Sequence, residues 1–242
     1  MFGTLVNAAA IAAGGLVGLV LKKGIGPRYE TALNQAMGMA ILVIGANGVI
    51  ANMFTVGSDG TLSSSGELLV VLSLCIGVLA GEFLRIEERL SGLGGFVEQR
   101  FHLSGFAASF VNGTLIYCVG AMAIIGSIND GLRGDSSVLL VKATIDGVSS
   151  IVLGATMGLG VIFSAIPVAL YQGSISLLAG VLAPVLQGEL LRQICAVGFV
   201  LVCAVGVNFF DRIHIKTANF LPALLVPPLW VGLRALAAGL GL

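Results

Sequence analysis

Charge is what this sequence lacks most. Lys, Arg, Asp and Glu make up 10% of its 242 residues, twelve basic and twelve acidic, for a formal net charge of zero. Soluble domains carry roughly 25% charged residues, so a chain this poor in charge cannot cover a surface facing water. The balance of signs also excludes nucleic acid as an expected partner, because phosphates are held by clustered Lys and Arg. Cysteine is limited to Cys75, Cys118, Cys195 and Cys203, each inside an apolar run and none in CxxC spacing. Neither a disulfide framework nor a zinc site is expected from them. His102 and His214 share no metal-ligand spacing, and Asp130 and Asp135 in NDGLRGD match a calcium loop only loosely, so that segment reads as a solvated turn. There is no HExxH, GxSxG or Walker A motif, and no GxGxxG following a strand. The expectation is a protein that is not an enzyme, with no metal and no cofactor.

What the chain does contain is apolar. Hydrophobic residues reach 57%, mean hydropathy is +1.06, and 35 glycines occur without a G-X-Y period. That composition suits membrane helices that pack backbone to backbone. The first apolar run carries Lys22 and Lys23 after it rather than before it, the reverse of a cleaved signal peptide, so it reads as a retained membrane helix.

A helix needs about 20 apolar residues to cross the hydrocarbon core. Runs of that kind fall at Thr4–Leu21, Ala36–Val56, Leu68–Leu84, Phe106–Ile128, Gln193–Phe210 and Phe220 to about Leu240, with a polar loop at Gly57–Gly66. The long stretch Ser137–Gln187 divides near Gly158–Gly160 into two more. The expectation is one integral membrane domain over 1–242: an all-α polytopic bundle of about eight spans, or seven, with a broken-helix region in the Gly- and Pro-containing part of Ser137–Gln187. Ile86, Leu90, Leu93 and Val97 keep helical spacing within the charged segment 85–104, which reads as amphipathic and interfacial. GGLVGLVLKKGI, IGVLAGEFLRI and VGVNFFDRIHI hint at internal repeats. Eight spans with the N-terminus outside place Lys22, Lys23, Arg28, Arg85, Arg89, Arg100, Arg212 and Lys216 on one side, as the positive-inside rule requires.

Lys142 and Asp146 are the only charges between Asp135 and Glu189. An ionised side chain at the centre of a membrane helix costs about 2.5–3.5 kcal/mol on insertion scales, so such residues usually serve a function. Four residues apart, the two share a helix face, which Ser149 and Ser150 continue. One reading is a polar stripe lining a pathway, with Asp146 taking a proton or cation and Lys142 as counter-charge. The other is a self-neutralising structural pair. Gln172, beyond the glycines, adds a donor and an acceptor. Glu82, Asn112 and Asn208 are secondary candidates. Glu82 is as readily explained by pairing with Arg85, and lone amides by helix-to-helix hydrogen bonds, unless several converge on one cavity. GxxxG at Gly14/Gly18 and Gly77/Gly81 suits tight packing within the chain or in a homo-oligomer.

GAMAIIGSINDGLRGD, LVKATIDGVSSIVLGATMGLGVIFSAIPVALYQGSISLLAG, RIHIKTANFLPALL and GVLAGEFLRIEERL together resemble the YdfK/YqgA-like bacterial membrane proteins, a domain-of-unknown-function family. The resemblance covers essentially the whole chain. It implies a polytopic bacterial inner-membrane protein and carries no biochemical role. The residues favour a secondary transporter or channel-like permease for a small polar solute or ion, proton- or sodium-coupled. The alternative is a non-catalytic scaffold or regulatory subunit of a membrane complex.

Overall fold

The computed structural model describes residues 1–22, 27–89, 92, 105–210 and 214–239. Most of the interfacial segment 85–104, with His102, lies outside them, as do Lys23, Arg212 and the end of the eighth apolar run. Without water to satisfy backbone groups, a lipid-exposed chain must be helical or a closed barrel, and this chain is helical. In order come α1 (Phe2–Lys22), α2 (Pro27–Met53), α3 (Glu67–Leu84), α4 (Phe106–Cys118), α5 (Ala121–Arg133), α6 (Ser137–Met157), α7 (Gly160–Phe163), α8 (Ala165–Leu177), α9 (Ala179–Leu182) and α10 (Gly188–Asn208). A 3-10 segment (Thr217–Leu225) and α11 (Val226–Gly239) follow. The polar loop after α2 is flanked by two short antiparallel strands, Phe54–Val56 and Leu62–Ser64, which were not evident from its sequence.

Among the described residues six helices are long and apolar enough to span a membrane, and there are seven spans when the bent pair α4–α5 is counted as one crossing. The expected eighth span is shorter, an apolar segment over Thr217–Leu233. Its first part is 3-10 with Pro222 inside, because proline supplies no N–H and clashes with the preceding turn.

Glycines decide which helices meet. Gly3 of α1 faces Leu139 of α6, Gly14 approaches Gly147, and Gly18 approaches Ile151, so α1 and α6 run parallel. Gly38 faces Phe209 and Gly48 faces Phe199, which makes α2 and α10 antiparallel. Gly77 and Gly81 of α3 lie against Ala223 and Asn219. Both GxxxG pairs are therefore used within the chain. Gly113 of α4 meets Ser164, and Gly131 of α5 meets Ser176, so α4–α5 runs parallel to α7–α8. These directions alternate along the chain as successive crossings require.

The chain turns where the sequence suggested, at Gly158–Gly160. Beyond that turn the stretch is interrupted at Ser164 and Leu178, and a sharper bend falls elsewhere. Within the expected fourth span, α4 ends at Cys118, Val119 is extended, and α5 departs at 66°. Gly120 makes this corner with φ +126 and ψ 150, a backbone conformation that side chains with a Cβ rarely adopt.

Candidate functional site

Lys142 and Asp146 project from α6 into the bundle, where each is 6% exposed. Lys142 Nζ donates to Asp146 Oδ2 at 2.6 Å. The spacing dictates the pairing, since i and i+4 are neighbours on a helix. The Asn7 amide of α1 lies near the Asp146 carboxylate, and Asn7 Nδ2 donates to Gln172 Oε1 of α8 at 3.3 Å. Gln172 thus joins α8 to the α1 face beside Asp146 through Asn7, a hydrogen bond between helices of the kind expected of a lone amide. Ser150, one turn below Asp146, bonds the Tyr117 hydroxyl of α4 at 2.7 Å. Ser149 is only half-buried and stands apart from this cluster.

A cavity of about 380 Å³ reaches the pair. Ligand pockets span about 300–1,000 Å³, so it can hold a small solute. Its walls carry Lys142 and Asp146 from α6, Asn47 and Asn52 from α2, Phe199 and Val202 from α10, and the corner Val119–Gly120 with the first residues of α5. The corner matters because helix ends leave carbonyls and N–H groups with no intrahelical partner. Here the C-terminal end of α4 and the N-terminal end of α5 meet at one wall.

At the other end of the bundle lies a second cavity of about 200 Å³, lined by Asn34, Ser109, Asn112, Thr156 and Asn208 among others. The same helices, α2, α4, α6 and α10, supply both cavities. At 1.5 Å per residue the two linings are separated along these helices by about 6 Å on α4 and about 15 Å on α6. Between them the helices contribute Met37, Leu153 and Val205, packed in one apolar cluster. Two cavities that each carry polar side chains thus share helix faces across an apolar septum.

The secondary candidates divide. Asn112 and Asn208 converge on the second cavity, although both are engaged: Thr217 Oγ1 donates to Asn112 Oδ1 at 3.2 Å, and Asn208 exchanges two hydrogen bonds with the Ile215 backbone. Glu82 lies at the edge of the bundle and pairs with Lys216 at 3.2 Å rather than with Arg85, which pairs with Glu88 at 3.9 Å. Asp130 corrects the reading of NDGLRGD as a solvated turn. It is 3% exposed at the end of α5, accepts from Ser136 Oγ at 2.7 Å, and lies 3.0 Å from the Met1 amino group. Asp135 does sit in the turn, and its hydrogen bonds from Ser137 hold it below the usual carboxylate range.

Comparisons with known proteins agree on kinship and are silent on activity. The chain is 34% identical to the Bacillus subtilis "Uncharacterized membrane protein YdfK" over 94% of both chains. It is 25% identical to the Escherichia coli "Uncharacterized protein YqgA" over 93% of this chain and 94% of that one. No solved structure matches. The family described as "Protein of unknown function (DUF554)" matches residues 2–232, and this membrane protein belongs to it.

Proposed function

We propose that this chain is a secondary permease for a small polar solute, working in the bacterial inner membrane with its N-terminus outside and not as an enzyme. The observation that carries the reading is the pair of vestibules on shared helix faces, with the Lys142–Asp146 pair and a broken helix on the wall of the outer one. Intramembrane charges that face a cavity commonly mark solute or ion pathways. Discontinuous helices at mid-membrane expose backbone groups that bind ions or polar groups. In the proposed topology the cavity at Asn52 opens outward and the cavity at Asn208 inward. The septum at Met37, Leu153 and Val205 is then the barrier that alternating access must shift. Lys142 and Asp146 are the charges that the solute engages, and a proton or sodium gradient is the driving force.

Purified protein in liposomes, challenged with radiolabelled amino acids, sugars, organic acids and sodium under an imposed pH or sodium gradient, tests this. Uptake that depends on the gradient and falls at least tenfold in Asp146→Asn is expected. Transport with unchanged pH dependence in Asp146→Asn would remove Asp146 from the site. A stoichiometric partner protein on cross-linking, with no solute movement by the chain alone, would favour the scaffold reading.

A further inference from the structure

We infer that the solute held in the outer vestibule is a small zwitterion, an amino acid with an uncharged side chain, whose carboxylate meets Lys142 and whose primary ammonium meets Asp146. This deepens the permease reading and rests on it. Each of the two residues is 6% exposed, and they satisfy each other at 2.6 Å. A solute bearing one charge, anion or cation, that engaged its opposite number would leave the remaining protein charge buried without a partner, a strongly unfavourable arrangement. A neutral solute has nothing to gain by opening the pair. A zwitterion replaces one ion pair by two and leaves no charge stranded. Lys142 can make the exchange because its flexible four-carbon stem allows the ammonium to swing away from the adjacent turn.

The rest of the vestibule repeats this balance of signs. The corner at Val119–Gly120 presents the C-terminal carbonyl end of α4 and the N-terminal N–H end of α5 on one wall, and these carry opposite partial charges. Asn47 and Asn52 offer both donors and acceptors. Among the described residues no lining residue other than Lys142 and Asp146 is charged, while Ile44, Ile145 and Met122 leave apolar wall for an uncharged side chain. Among the described residues Phe199 is the one aromatic ring in the lining. A quaternary ammonium is typically enclosed by several rings, so a primary ammonium suits this site better. The inner vestibule supports the same class from the other side. Among the described residues its lining amides and hydroxyls include no ionised side chain, so a solute of zero net charge can enter it without a counter-charge.

The test uses the full-length protein in liposomes loaded for counterflow. Labelled glycine, alanine, serine, leucine and glutamine are each offered, with propionate and ethylamine as the single-charge halves of alanine. Counterflow of at least one amino acid is expected, with each half competing at least tenfold more weakly than the intact zwitterion. Lys142→Gln should shift preference toward ethylamine and Asp146→Asn toward propionate, each by about tenfold. Lys142→Gln/Asp146→Asn, with no charge left unpaired, should remain monodisperse and lose discrimination between the halves. Protection of the wild-type protein against thermal unfolding by the same compounds supplies a readout that needs no variant to fold. Propionate or ethylamine matching alanine in both assays overturns the zwitterion assignment. Movement of sugars, organic acids or sodium with no amino acid bound or moved overturns it while the permease reading stands. No movement of any compound, with no thermal protection, overturns both.

Discussion

Lys142 and Asp146 allow the energetics of a buried pair to be separated from its role. At 2.6 Å and an effective dielectric near 20, their attraction is about 6 kcal/mol. Withdrawing each ion from water costs several kcal/mol, so the net contribution of the pair is close to zero. Removing one partner is different, since it strands the other. Lys142→Met should therefore destabilise by about 3–5 kcal/mol, and Lys142→Met/Asp146→Leu should cost far less or even stabilise. For a chain of this size, 3–5 kcal/mol corresponds to a fall in Tm of roughly 6–20 °C. Thermal unfolding of detergent-solubilised protein, followed by intrinsic fluorescence or light scattering, measures all four corners of the cycle. A large negative coupling energy is expected, meaning that the double variant is much more stable than the sum of the single losses. Additive losses would refute the reasoning, because they would mean that the two charges are stabilised by separate surroundings and not by each other.

Gly18→Leu should separate α1 from α6, since even a Cβ there meets the Ile151 carbonyl; a loss of at least ~1–3 kcal/mol is expected. Gly180→Ala, with no atom within 4 Å of the added carbon, should melt as the wild type does. Gly120→Ala should cost about 1–3 kcal/mol through backbone strain at φ +126, and should reduce solute binding if the corner shapes the outer vestibule. In a background lacking the four native cysteines, Asn52→Cys should react with an impermeant thiol reagent from outside the cell, and Asn34→Cys from the cytoplasmic side only. Glu82→Gln should melt as the wild type does, because its partner Lys216 and its own carboxylate are half exposed.

The bundle was legible in composition and run length, and the division of Ser137–Gln187 at Gly158–Gly160 followed from charge bias. The seat of Asp146 was legible too, because two charges in an apolar run announce themselves. Its company was not. Asn7 lies 165 residues from Gln172, and a single amide in an apolar helix looks the same whether it bonds its own backbone or a buried side chain on another helix. The corner at Gly120 was hidden for a related reason: with 35 glycines in the chain, one more gives no sign of its φ angle. Pro167, a stronger formal signal, sits in the first turn of α8, where its missing N–H has no intrahelical role. Asp130 was misjudged because its neighbours in sequence are turn formers, while its neighbours in space come from α1 and α6.

The parallel seam between α1 and α6 has a consequence for biogenesis. The first helix leaves the ribosome more than a hundred residues before its partner. At about 5–20 residues per second, the delay is on the order of 6–25 s. Throughout that interval the face bearing Asn7, Gly14 and Gly18 has no mate, and the polar amide lies against lipid or insertion machinery. Closure of the bundle is thus a late event in synthesis. A nascent chain halted before Ser137 should hold an α1 that is inserted but unpaired, the form most exposed to membrane quality-control proteases.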